Sequence, residues 1–280
     1  MSKKWFLLAA LLILIGAGGA AVFGFGSQEG DDYEQKWTFS SQELRSLLIE
    51  NAGSARIEFA PSSNSEGSVL VKGKWSKDDI ERMKETALEN GQLDLDISKK
   101  QGFRLFSIFN KDYTQKVTVS LPQNSELERL AIKGTSGDIA LADTQARNMS
   151  IQLTSGTMDL SSLTADQLDL SITSGDINAQ NIKANVTANA SSGQIKMNEL
   201  NGSATVKLTS GDVDIRQKTA AGVDITCSSG NVNVQVAADF KGSYDARATA
   251  GEVSIPESVG ESKDIIKIRT TSGDINVNHP

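Results

Sequence analysis

ATVKLTSGDVDI, residues 204–215, alternates apolar and polar side chains on both sides of one Thr-Ser-Gly-Asp corner. Ala204, Val206 and Leu208 lead in, and Val213 and Ile215 lead out. Period-two alternation marks a strand with one buried face. The stretch predicts strand, corner, strand, followed by a polar return.

The same pattern recurs in both directions. Ser-Gly or Ala-Gly corners fall at Gly137, Gly156, Gly175, Gly193, Gly211, Gly230, Gly251 and Gly273, with spacings of 19, 19, 18, 18, 19, 21 and 22. Apolar residues return after each corner, as in Met158/Leu160, Ile195/Met197 and Ile275/Val277. A unit this short buries its apolar face only by stacking on its neighbours. Equivalent strands at ~4.8 Å then make a rod roughly 38 Å long over eight coils. The expected fold is all-β: a β-solenoid, parallel β-helix-like, of about eight to ten coils with one short helix. The glycines are structural turns, because a phosphate loop needs a helix after its Gly and none follows. Cys227 occupies an inward position, equivalent to Leu208, and reads as a small buried hydrophobe.

The segment before the repeat is less regular. Leu47–Ile49 and Ala55–Phe59 flank Ala52-Gly53 like a degenerate first coil, while Ser40–Glu43 offers an alternative helix cap. Ser68–Trp75 reads as a strand. Residues 76–90 read as a helix, with Ser76 and Asp79 capping, an apolar stripe of Ile80, Met83, Ala87 and Leu88, and Asn90-Gly91 as its stop. Strands resume at Leu93–Ile97 and Val117–Leu121. Phe103, Phe106, Ile108 and Phe109 between them suit a cap over the solenoid end, or a membrane-interface or ligand loop.

Residues 5–26 form an uncharged run preceded by Lys3 and Lys4 and followed by Glu29, Asp31, Asp32 and Glu34. About 20 residues span a bilayer as a helix. The run reads as a single-pass anchor over residues 1–26, N-terminus cytoplasmic and the rest outside, with residues 27–36 as linker and 37–280 as the extracytoplasmic domain. A cleaved signal peptide is the rival reading, with small residues at Gly18–Ala21. The regular repeat occupies residues 130–280.

Composition removes several functions. One Cys excludes an internal disulfide and a Cys-based zinc site, and one His, His279, leaves no Ser-His-Asp or multi-His centre. With 28 basic and 35 acidic residues the net charge is −7, and −9 once Lys3 and Lys4 are set aside. That balance opposes nucleic acid and attracts cations and cationic peptides. Beyond Leu130 the aromatics are Phe240 and Tyr244, too few for sugar-stacking platforms.

VTVSLP (Val117–Pro122), LERLAIKGTSGDI (Leu127–Ile139) and the serial TSGD corners resemble a bacterial family of β-strand-repeat proteins catalogued as adhesins of unknown function. The anchor-plus-ectodomain layout is similar to the anchored member encoded with the Lia cell-envelope stress system of Bacillus. The resemblance covers residues 37–280. It implies a β-solenoid, an extracytoplasmic role in envelope stress, and no catalytic residues.

One ladder invites chemistry. Asp138, Asp176, Asp212 and Asp274 follow their corner glycines, and Asp214 lies two residues past Asp212. Calcium takes about six to eight oxygens, yet Thr157, Gln194 and Asn231 interrupt the acids. Turn chemistry is the leading reading, with cation or cationic-peptide attraction behind it. Asp212 and Asp214 are also the pair a carbohydrate-active enzyme would use, but no aromatic cleft or Arg cluster accompanies them. The sequence therefore predicts a non-enzymatic module with no cofactor. Its partners are expected to be the membrane and a Lia-system membrane protein, a cell-wall component or a cationic antimicrobial peptide. Adhesion to an external surface or polysaccharide is the alternative.

Overall fold

Stacked coils with shared register carry the alternation through the molecule. The computed structural model describes residues 31–51, 55–62, 65–97, 115–122 and 125–280. The N-terminal part holds β1 (Asp31–Ser40), β2 (Ser46–Asn51), β3 (Arg56–Pro61), β4 (Glu66–Trp75), α1 (Lys77–Glu85), β5 (Leu88–Glu89), β6 (Gln92–Asp96) and β7 (Gln115–Leu121). The regular part runs through β8 (Leu127–Ala142), β9 (Ala146–Ser192), β10 (Ile195–Asn201), β11 (Ala204–Ser210), β12 (Val213–Gln217), β13 (Val223–Ser229) and β14 (Val232–Gln235). It ends with β15 (Ser243–Ala250), β16 (Val253–Ser254), β17 (Ile265–Ser272) and β18 (Ile275–Asn278).

Parallel pairing joins each coil to the next. Leu130 faces Met149, Ile177 faces Ile195, Val206 faces Ile225, and Ile215 faces Val234. The inward residues of these strands are buried, with Ile151, Ile195, Val206, Val213 and Ile225 inaccessible to solvent. Burial of such stacked aliphatics, at about 25 cal/mol per Å², is what holds a rod with few aromatics. Cys227 sits among them as a buried thiol, and its burial pushes its pKa up.

Two kinds of corner turn the coils. The glycine corner has φ between 109° and 142° from Gly137 to Gly273. At Gly193 a Cβ would lie 1.8 Å from the carbonyl oxygen of Gly175, so both the backbone twist and the neighbouring coil require glycine. The second corner uses a left-handed residue without glycine, at Asp143, Ser162, Asn181 and Glu199. These four follow the coil period but share no motif, because Asp, Ser, Asn and Glu fill the same position.

The coil order departs from the expected serial stack at both ends. β17 and β18 lie between β13/β14 and β15/β16: Val223 faces Ile266, which in turn faces Tyr244. The Gly273 corner therefore sits on Gly230, and Gly251 sits on Gly273. At the other end β2 is sandwiched between β6 and β8, and β3 between β7 and β8. The expected degenerate coil at Leu47–Phe59 is present and is second from the end, with β6 and β7 outside it.

Three further expectations are corrected. The linker expected over residues 27–36 is strand from Asp31 onward, because β1 pairs with β4 in unbroken register from Asp31↔Trp75 to Ser40↔Glu66. Residues 27–30 lie outside the described residues. The helix expected to reach Asn90 ends at Glu85, capped by Thr86. Asn90 and Gly91, with φ of 51° and 82°, form instead the two-residue turn of a hairpin pairing Leu88 with Leu93. Ser40–Glu43 is a turn, closed by Glu43 N–H to Ser40 O at 3.2 Å, and begins no helix. The apolar run at residues 5–26 and the Phe103–Phe109 group lie outside the described residues. Among the described residues no helix is long and apolar enough to cross a membrane.

Candidate functional site

The acidic ladder is built by the glycine corner. At four corners the side chain that follows the glycine bonds the next coil. Asp176 Oδ1 accepts the Gln194 N–H at 2.8 Å, and Asp212 Oδ1 accepts the Asn231 N–H at 2.8 Å. Asn231 Oδ1 accepts from Asp274 N–H at 3.0 Å, and Asp274 Oδ1 from Glu252 N–H at 2.8 Å. These acids satisfy backbone donors that stacking would otherwise leave bare. Asp138 stands at the same step of the stack, facing Thr157. Among the described residues no three metal-ligating side chains converge.

Asp214 behaves differently from Asp212. It sits on the outer face of β12, beside Arg216 at 4.0 Å. The structure commits one carboxylate to a backbone amide and sets the other against a guanidinium.

Asp214 instead opens a shallow groove across three coils. Its register neighbours are Asn233 and then Asn276; those of Arg216 are Gln235 and then Asn278. These six side chains line the groove. They form two columns, one residue per coil, ~4.8 Å apart along the rod and ~7 Å apart along the strands. Elsewhere outward polar groups bond coil to coil: Asn178 to Asp159, Ser203 to Asn185 and Thr219 to Asn201, each at 2.9 Å. The four amides of the groove make no such bond among the described residues. They present free donors and acceptors on a rigid floor, an arrangement suited to hydroxyl or peptide groups. The pattern Asp-x-Arg, Asn-x-Gln, Asn-x-Asn in three coils was the available signal.

At the C-terminal end, Tyr244 packs on buried Phe240 with ring centres 5.4 Å apart, and its hydroxyl meets His279 Nε2 at 3.1 Å. Burial raises the Tyr244 pKa. Asp245 beside it hydrogen-bonds Arg269, which holds its carboxyl below the usual range.

Parallel coils, a glycine corner and inward aliphatic ladders define a β-solenoid with polar walls. The chain belongs to the Toastrack DUF4097 family, whose model matches residues 44–278. A provisionally named adhesin of Bacteroides fragilis shares this fold at 17% identity, with a TM-score of 0.51, covering 89% of this chain and 97% of that one. A provisionally named lipid-binding protein of Parabacteroides distasonis aligns at 15% identity and TM-score 0.44, over 90% of this chain and 98% of its own. A provisionally named cell adhesion protein of Clostridium sporogenes aligns at 15% identity and TM-score 0.27, over 89% and 100%. Of these, the Bacteroides structure bears on the fold, and on the fold alone. No curated protein matches the chain.

Proposed function

We propose that the chain is a non-enzymatic, extracytoplasmic binding module, held at the cell membrane by residues 1–26 with the solenoid outside. The carrying observation is the three-coil groove, where four amides in register below Asp214 and Arg216 make no hydrogen bond among the described residues, whereas Asn178, Ser203 and Thr219 bond from coil to coil. Such a floor holds an extended polar ligand without transforming it. The net charge of −7 favours a cationic one. A cationic antimicrobial peptide or an envelope component is the ligand class, and a Lia-system membrane protein is a candidate relay, by analogy with the LiaG-like layout of anchor and ectodomain. On this reading the module serves the cell-envelope stress response.

Adhesion is the second reading, favoured by the same amides, which suit polysaccharide hydroxyls as well as peptide groups. The full chain in nanodiscs separates the two. Binding to isolated cell wall, to anionic vesicles and to a cationic peptide is measured at ~20 and ~300 mM salt, on either side of physiological screening. Peptide binding lost at high salt supports the stress module. Wall binding that survives salt and falls in an Asn233→Ala/Asn276→Ala variant supports adhesion. Binding to none of the three removes the groove as a ligand site.

A further inference from the structure

The groove presents its polar groups in rungs. β12 offers Asp214 and Arg216, β14 offers Asn233 and Gln235, and β18 offers Asn276 and Asn278. The two side chains of a rung stand ~7 Å apart along one strand, while successive rungs lie ~4.8 Å apart along the rod. An extended peptide points the N–H and C=O of every second residue to the same side, again at ~7 Å. A peptide laid parallel to the strands therefore meets both members of a rung in step. Laid along the rod, it falls out of step by about 2 Å at each rung. A primary amide carries a donor and an acceptor side by side, as the peptide group does, so the two can pair through two hydrogen bonds. The strands below cannot add the ligand as a further strand, because β14 is already paired with β12 on one side and β18 on the other. Contact is left to the side chains.

We propose, on the footing that the groove is the binding site, that its ligand is an extended peptide crossing the rod parallel to the strands and held by its main chain. Asn233 with Gln235, or Asn276 with Asn278, takes two same-side peptide groups. The ligand's own side chains then lie along the rod, over the neighbouring rungs. Recognition through the main chain tolerates many sequences, and charge sets the remaining preference. The surrounding wall carries Asp212, Asp214, Glu252 and Asp274 against Lys196 and Arg216. That excess of acid admits Lys- and Arg-bearing peptides and opposes acidic ones. No aromatic ring lines the groove to stack a sugar.

The full chain in phosphatidylcholine nanodiscs is titrated by calorimetry at ~20 mM salt, where charge is weakly screened. The probes are acetylated, amidated hexalysine and the same peptide N-methylated along its backbone. Methylation keeps the charge and removes the main-chain donors. Hexalysine is expected to bind at least ~10-fold more tightly than its methylated form. In Asn233→Ala/Asn276→Ala that ratio falls towards one. Gln235→Ala/Asn278→Ala acts alike, since each rung needs both members. Equal binding of the two probes to the native chain, weakened by the alanines, overturns main-chain recognition and leaves the groove as a site. Affinities untouched by either alanine pair overturn both, since the peptide then sits elsewhere. Absence of hexalysine binding overturns the peptide assignment, and cell-wall binding lost in the same variants then gives the groove to a polysaccharide.

Discussion

The two ends of the rod solve one problem in opposite ways. At the N-terminal end the outer coil is covered: β4 pairs antiparallel with β7, the Leu88–Leu93 hairpin flanks β6, and α1 buries Ile80 and Met83. Trp37 Nε1 ties β1 to the helix end through Thr86 O at 2.9 Å. At the C-terminal end the outer coil is left bare, with Ala246 half-buried where inner coils carry buried Ile268 and Ile225. A solenoid end must be capped for solubility. The contrast teaches that a cap of strands and a helix is built from the chain at one end, while the other end exposes Val253, Ile255 and Val259.

Truncation tests that contrast most severely. Ending the chain at Glu261 removes the coil wedged between β13 and β15. Hydrogen exchange should then show residues 243–254 exchanging like loops, while residues 66–97 keep their protection. Protection retained over 243–254 would mean the wedge is dispensable.

Glycine substitutions come next. Gly193→Ala places a Cβ 1.8 Å from the Gly175 oxygen at φ +127°. A loss of about 4 kcal/mol or more is expected in chemical unfolding. Gly260→Ala at the bare end, φ +72° with open space, should cost about 1–2 kcal/mol.

Truncating one apolar side chain at each end is gentler. Met83→Ala, beneath the helix cap, should cost about 2–5 kcal/mol. Val253→Ala should cost about 1 kcal/mol or less, because Val253 is already 37% exposed. Equal losses would show the C-terminal end to be covered after all.

Acid produces the smallest effect. The Asp245 carboxyl is held low by Arg269, so its stabilisation is present above the ordinary value of about 3.9 and is lost as pH falls through the lower folded value. Glu58, beside Lys116 at 2.5 Å, behaves likewise at the covered end. Asp245→Asn should flatten the acid response of the Tyr244 ring signals in NMR and leave residues near Glu58 titrating as before.

The coil body was legible because its physics is local and repeated. Alternation and glycine corners state the fold residue by residue. Coil order was not legible, since neighbouring coils share one pattern and any permutation buries the same faces. The Gly230–Gly251 and Gly251–Gly273 spacings of 21 and 22 were the remaining signal. β1 was hidden by its acids, although Tyr33, Gln35, Trp37 and Phe39 alternate inward. Asn90-Gly91 was read as a helix stop when its stronger meaning is a hairpin turn. The groove escaped because its members are ordinary polar residues, joined only by register across three coils.

The wedged coils also govern how the molecule is completed during synthesis. Chains emerge N-terminus first. The coil at 243–254 emerges before 265–278 yet has no docking strand until β17 and β18 arrive. The distal end of the rod therefore stays unfinished until β18 (Ile275–Asn278) has been made. A chain interrupted between residues 235 and 265 loses both outer coils together, and so displays its defect at the tip.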